Sequence, residues 1–563
     1  VNAYPVTING NATIESDRGG TSGSGITHTL GTLNIGANTL SATKGGAVKS
    51  GSIAGLTFGN TTFDATPPVF DVANEVLLTL NALQNSGAFT KQGSGEMKLT
   101  QAANAARTTG IITLLNGLLT PNQPSALGNP AGVSIHQSGG TLDLDISSSV
   151  NAYPVTINGN ATIESDRGGS SGPGIPHVLG ALSIGAYTLS ATKGNAVNSG
   201  VAGLAFGATI LSGAAVFDVG DAIVLLTLPA VDNGGHTFTV QGIGNTAISG
   251  IISAGGGITK AGAGTLTLSG ANTYSGATTI NGGTLKLGAA DVIPNGANKG
   301  DVTVTDTTDG DKLDLNTHSE TINGLSGAGI VDTVAGGSPI LTVGANDQSS
   351  AFSGVIKNTA GTLALTKIGT GTLTLSGVNT YAGATTVDGG TLLVNNPSGS
   401  GTGSGAVTVN NTGTTLGGVG TVGGTTIGSG AKVAPGNGAI GTLHTGALIF
   451  NAGSAMVWEF DASSADLVVA GALSFATVAN DVTIYVKTDS DIYSGEVRTL
   501  FTFTGGGPTL TGLKFDVSQA QGKVSSATAR ITGQNVEIVM IPEPGMLALA
   551  GLLLIGLRAG FRF

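Results

Sequence analysis

Residues 1–44 of this chain return at 150–193 with 37 of 44 positions identical, and the stretch VNAYPVTINGNATIESDRGG is copied without a change. The likeness runs on through GLTFG (55–59) against GLAFG (203–207) and fades near VFDVANEVLLTL (69–80) against VFDVGDAIVLLTL (216–228), which gives a unit of 149 residues. A shorter repeat lies downstream. TKAGAGTLTLSGANTYSGATTINGGTLKL (259–287) returns as TKIGTGTLTLSGVNTYAGATTVDGGTLLV (366–394), and a degenerate copy, TKQGSGEMKLTQAANAARTTGIITLLNGLL (90–119), sits inside the large unit. Such a unit is too thin to bury its own apolar face. It acquires a core by stacking on its neighbours, so the repeats point to a solenoid.

The local pattern gives the elements. TLTLS and GTLKL alternate polar and apolar residues, the period of a strand with one buried face. Strands of four or five residues end at SG, NG or GG, dipeptides that suit tight turns. The alternation predicts Leu266, Leu268, Ile280, Leu285 and Leu287 pointing inward and the intervening threonines outward. Helical periodicity is confined to the C-terminal segment. Composition fits this architecture. Glycine supplies 95 of 563 residues, about 17% against a usual 7% or so, while charged residues make up only 10%. A charge repeated on every rung would face its own copies, so a stacked fold keeps charge scarce. Disordered polyelectrolytes and collagen are excluded by the low charge and by 17 prolines with no triplet register. A net charge of −11 argues against nucleic acid as a partner. With no cysteine there is neither a disulfide framework nor a thiolate metal site.

The pattern GxGTLTLSGxNTYxGxTTxxGGTL, carried by Gly264–Leu285 and Gly371–Leu392 and loosely by Gly95–Leu119, resembles the autotransporter-associated β-strand repeat. The stretches 313–331, 349–367 and 403–443, the last with its APGN turn, are similar to such proteins as well. The resemblance implies a right-handed parallel β-helix on the outer surface of a bacterium. The expected layout is a solenoid with its first large copy over 1–149 and its second over 150–256, the short repeats over 257–444, a β-rich terminal cap over 445–540 that holds Trp458, and a distinct segment over 541–563.

That last segment reads IPEPGMLALAGLLLIGLRAGFRF. Met546 to Leu557 form an unbroken apolar run of 12 residues, roughly 18 Å of helix, and Gly545–Phe563 comes closer to the ~30 Å hydrocarbon core. The segment resembles the PEP-CTERM sorting signal of Gram-negative bacteria, with Pro542, Glu543 and Pro544 as its triplet and Arg558 and Arg562 flanking a short membrane helix. The resemblance implies export, a transient membrane anchor and processing by an exosortase-type enzyme. The N-terminus, which opens at Val1 inside the duplicated unit, is read as truncated or processed.

Chemistry is sparse. His28, His136, His177, His236, His318 and His444 show no zinc-ligand spacing. The tetrad Glu15-Ser-Asp17-Arg18 and its copy Glu164, Asp166 and Arg167 resemble the acid pairs of glycan-cleaving β-helices, but an active site is seldom duplicated intact, so a turn with a local salt bridge is expected. Asp306, Asp309, Asp311 and Asp314 lack the spacing of a calcium loop and are expected in a solvated turn. No catalytic residue, cofactor or metal is expected. The sequence points to a non-enzymatic exported surface or matrix protein, structural or adhesive, with extracellular polysaccharide as a candidate partner. An autotransporter passenger and a carbohydrate-active β-helix enzyme are the alternatives.

Overall fold

The computed structural model describes residues 3–63, 66–85, 87–101, 109–306, 310–475, 482–488, 496–505, 508–511, 513–520 and 524–541. The chain forms two compact units, Val1–Val292 and Ile293–Phe563. Among the described residues every regular element is a strand, and no helix there is long and apolar enough to cross a membrane. The expected C-terminal helix, with Pro542, Glu543, Pro544, Arg558 and Arg562, lies outside the described residues.

The first unit is a parallel β-solenoid with three strand faces per coil. On one face Pro176–Val178, Ala202–Ala205, Val224–Leu228, Asn245–Ile248, Thr265–Leu268 and Thr284–Leu287 pair in order, all parallel. Their inward residues form one column, His177, Leu204, Leu226, Thr246, Leu266 and Leu285. The predicted inward residues Leu266, Leu268, Ile280, Leu285 and Leu287 are all fully buried.

The large duplication does not span a whole number of coils. Ala12–Ser16 opens a face that runs through Thr39–Lys44, Val69–Val72, Phe89–Gln92, Gly110–Leu114 and Val133–Gln137 to Val155–Ile157. Val155–Ile157 is the copy of Val6–Ile8, whereas the copy of Ala12–Ser16, Ala161–Ser165, stacks on Thr141–Asp143 of another face. Nearly identical sequence thus sits one face further round in the second copy. The core accepts this because each face asks only for alternating apolar residues.

Polar residues of the short repeat turn inward as well. Lys260 is buried, and its Nζ donates to the carbonyls of Ala261 (2.6 Å) and Gly262 (2.7 Å) in its own turn and of Gly282 (3.1 Å) in the next coil. Lys367 does the same with Ile368, Gly369 and Gly389, and Lys91 with Gln92, Gly93 and Asn116. The lysine stem fills core space while its head is satisfied at the rung corner. Asn272 accepts from Ile252 N (2.7 Å) and donates to Val292 O (2.8 Å), so it ties the coil before it to the coil after it. Asn379 repeats this with Ile356 N and Gly401 O. Tyr274 and Thr278, and Tyr381 and Thr385, form buried hydroxyl pairs at 2.6 Å. Thr278 and Thr385 therefore point inward in phase with Ile280 and Val387, polar residues at otherwise apolar positions, each with a tyrosine hydroxyl to bond.

The second unit is built the same way. One face stacks Ala364–Lys367, Thr385–Val387, Val407–Val409, Thr425–Ile427, Thr442–Phe450, Leu467–Phe475 and Val497–Phe503 in parallel. Phe450, Phe475 and Phe501 meet inside it with ring centroids 5.3–5.9 Å apart. The ladder then reverses: Asn535–Ile541 lies antiparallel to Val497–Phe503 and to Ser526–Thr532.

Candidate functional site

The duplicated tetrad straddles a strand end, with Glu15 and Ser16 closing Ala12–Ser16 and their copies closing Ala161–Ser165, and its aspartate and arginine bond locally. Asp17 Oδ1 accepts from Arg18 N (2.8 Å) and Ala47 N (2.9 Å), and Asp166 Oδ1 accepts from Arg167 N (2.8 Å) and Ala196 N (3.0 Å). His28 Nε2 and His177 Nε2 each lie 2.7 Å from the carbonyl of that aspartate. The expected salt bridge is absent among the described residues. Arg18 and Arg167 reach instead to the carbonyls of Ser24 (2.7 Å) and Pro173 (2.8 Å). A Cβ on Gly45 or on Gly194 would fall 2.0 Å from the Asp17 or Asp166 carboxyl carbon, so sequence on both sides of the turn is constrained by packing. His177 heads an inward column, and burial holds its imidazole below the usual value against the pull of Asp166.

The acidic cluster is also structural. Asp311 and Asp314 are buried rather than solvated: Asp311 accepts from Asp306 N, and Asp314 from Asn316 N and Val334 N. Asp309 lies outside the described residues. Among the described residues no three His, Asp or Glu side chains are grouped to hold a metal ion.

A carboxylate row on the first unit has a consequence for stability. Asp143 pairs in register with Glu164 and is nearly buried. Burial, then the charges of Asp166, Glu164, Asp145 and Glu96, push its carboxyl up to about 8. Its folded value exceeds its unfolded one, so its contribution to stability is complete below pH 4 or so and is lost as pH rises through about 8. The melting temperature of the protein should fall by several degrees between pH 5 and pH 8, and Asp143→Asn should flatten part of that fall. Thermal melts at the two pH values test it, and an undiminished fall in the variant removes Asp143 as the cause.

The groove with the richest chemistry is on the second unit and has a volume of about 830 Å3. Its floor is the outward side of five successive parallel strands, Thr391–Val394, Thr415–Gly418, Lys432–Pro435, Ala455–Glu459 and Val482–Lys487. Register sets Thr391, Thr415, Lys432, Ala455 and Thr483 in one row. Two residues along, Val457 pairs with Tyr485, both half-exposed, and further on Glu459 pairs with Lys487 at 2.5 Å. The wall is the turn after Pro435, where Gly436, Asn437 and Gly438 all take positive φ (67°, 52° and 92°). Asn437 folds across Gly417, where a Cβ would come within 3.0 Å of its own. Gln519 closes the other side. A smaller hollow of about 220 Å3 shares Gly438, Glu459 and Lys487 and leads on to Asp461.

Asp466 fixes the deep end. Its carboxylate accepts from Gly441 N and Glu459 N at 2.9 Å each, and its carbonyl from Trp458 Nε1 at 2.8 Å. Burial pushes its carboxyl up to about 7, the two amides oppose this, and the Glu459 charge adds to it. Both oxygens are engaged, and the Glu459 carboxylate is paired with Lys487.

Two segments, residues 258–287 and 365–394, match the model of the passenger-associated-transport-repeat. The chain carries autotransporter-associated repeats. Over 385 residues, 66% of its length, it is 29% identical to the adhesin BmaC autotransporter of Brucella suis biovar 1 (strain 1330). The matched part is 10% of that relative's length. The matched segments contain the inward Lys260, Asn272, Tyr274 and Thr278 and their counterparts in the second copy, so much of what the repeat pattern specifies is interior. The groove was not legible in the sequence, because its residues converge from positions 391 to 519 across several coils.

Proposed function

We propose that the chain is a non-enzymatic exported adhesin displayed at the surface of a Gram-negative bacterium as a right-handed parallel β-solenoid of the passenger type. The observation that carries the reading is the pair of passenger-associated repeats, joined to the likeness to an adhesin autotransporter. Its chemistry supports binding over cleavage. The Glu459 and Asp466 carboxylates at the second-unit groove are tied to Lys487, Gly441 N and Glu459 N.

The finer part of the proposal concerns the route. Pro542, Glu543 and Pro544 form a sorting triplet recognised by an exosortase-type enzyme, and the apolar segment closed by Arg558 and Arg562 anchors the chain in the membrane until it is processed. Protease added to intact cells should digest the wild-type protein. Replacement of Pro542 to Pro544 by alanine should leave the protein in the membrane fraction and shielded. Wild-type protein that resists protease on intact cells but yields after lysis would overturn surface display. Unchanged location of the triplet variant would overturn the sorting route alone and favour a barrel-borne passenger.

A further inference from the structure

The second-unit groove has three properties that together specify a ligand. First, it is long. Five adjacent strands span four spacings, about 19 Å in all, and the smaller hollow continues it past Glu459 and Lys487 to Asp461. An extended chain fits this shape better than a compact small molecule. Second, its floor sets one half-exposed aromatic residue, Tyr485, beside the half-exposed Val457, with the hydroxyls of Thr391 and Thr483 and the amides of Asn437 and Gln519 lining the same groove. An aromatic face packs on the C–H face of a pyranose while hydroxyls and amides exchange hydrogen bonds with its ring substituents.

Third, its charge is opposite to that of the whole chain. The protein carries a formal net charge of −11, yet the main groove is lined by Lys432, Lys487 and Glu459 and by no other charged residue, with Asp461 lying beyond it in the smaller hollow. Glu459 is paired with Lys487, and Lys432, half-exposed on the floor, makes no ion pair among the described residues. At ordinary ionic strength the acidic surface elsewhere is screened beyond about 8–10 Å, so the local lysine governs what seats there.

We propose that this groove binds a carboxylated polysaccharide, with one sugar ring stacked on Tyr485 and a uronate carboxylate on Lys432. The inference deepens the adhesin reading by naming its ligand class, and it is tested apart from it. The Glu459–Lys487 pair gives the chain a second polar anchor where the groove narrows, and the Asn437 turn is the wall against which the substituents rest.

The test is calorimetric titration of the full chain with a hexamer of galacturonic acid at 0.1 M salt, and with a xylose hexamer as the neutral probe. The wild-type protein should bind the acidic hexamer and bind the neutral one about tenfold more weakly or worse. Tyr485→Ala should weaken binding about tenfold. Lys432→Gln should weaken it about fivefold, and that difference should vanish at 1 M salt. Tyr187→Ala, an exposed tyrosine on the first unit, should bind as wild type. Lys432→Gln alters a surface side chain alone, so the test does not depend on the folding of the tyrosine variant. Absence of wild-type binding, equal binding of the neutral hexamer, or undiminished binding by both groove variants would overturn the proposal. Cells that still adhere while displaying the Tyr485 variant would overturn the groove as the adhesive site and leave surface display standing.

Discussion

Gly264→Ala is expected to cost the protein more than about 4 kcal/mol, a loss at the far end of what single substitutions do. Gly264 stands at the corner before Thr265–Leu268, where its N–H donates to Gly242 O at 3.0 Å. A Cβ added there would lie 1.8 Å from the carbonyl oxygen of Gly244 and 2.9 Å from its carbon. The obstacle is backbone of the previous coil, so no rotamer relieves it. The two coils must part by more than 1 Å or so before the contact becomes tolerable, and they are held by the parallel register of Asn245–Ile248, Thr265–Leu268 and Thr284–Leu287. Gly371, the same position in the second short repeat, meets Gln348 O at 2.3 Å and should behave alike. Gly10 is the control: nothing lies within 4 Å of its would-be Cβ, and Gly10→Ala should fall within about 0.5 kcal/mol of wild type. Urea unfolding of the three variants checks this. Because each coil contacts only its neighbours, hydrogen exchange in Gly264→Ala should quicken first around residues 245–287. A wild-type midpoint for Gly264→Ala would mean that the coils do not approach as closely as described.

These corners show where the sequence was sufficient and where it was not. Alternation along TLTL is a local property, and it located Leu266, Leu268, Leu285 and Leu287 correctly because one buried face per strand is all that the solenoid asks. The glycine excess is legible for the same reason, since Gly264 and Gly371 mark places where one coil's backbone touches the next. Interior polar groups escape such reading. In a chain with few charges, Lys260 reads as a surface residue, and only three dimensions reveal three carbonyls converging on its Nζ from two turns. Thr278 and Thr385 are hidden for the same cause: each is a polar residue at an inward position, with a buried tyrosine hydroxyl as partner. The tetrad expected to form a turn instead begins inside the strand Ala12–Ser16, and its arginine bonds a carbonyl that no spacing rule identifies. The groove was the least legible feature. Thr391, Lys432, Tyr485 and Gln519 belong to different coils, and their neighbourhood follows from coil lengths that vary with each loop.

Lys260→Ala is expected to destabilise the first unit by about 3–5 kcal/mol, from a lost charged hydrogen-bond set and a cavity. The lysine stem is packed in the core of its coil, and its ammonium supplies all three of its donors, to Ala261 O, Gly262 O and Gly282 O. Burial pushes the equivalent ammonium groups of Lys91 and Lys367 down to about 8, against the opposing pull of Asp71 and Asp347. Both therefore stay charged at neutral pH, with carbonyl oxygens in place of water. Lys260→Met separates the two contributions. It keeps most of the volume and removes the donors. The carbonyls of Ala261 and Gly262 sit at a partly exposed corner and regain water, whereas that of Gly282 is buried and is left unpaired. The methionine variant should therefore lose about 2 kcal/mol, less than the alanine variant by the cavity contribution. Lys286→Ala is the reference: Lys286 lies on the outward side of Thr284–Leu287, half-exposed, and its loss should be within about 0.5 kcal/mol. Denaturant midpoints of the three variants order the effects as alanine at 260, methionine at 260, then alanine at 286. Equal midpoints for the first and the last would show that the inward lysine is no staple between coils. The ordering matters for the surface as well. If the repeat's lysine, asparagine, tyrosine and first threonine hold coils together from within, the outward face of each rung is free to vary, and the groove over residues 391–519 is one product of that freedom.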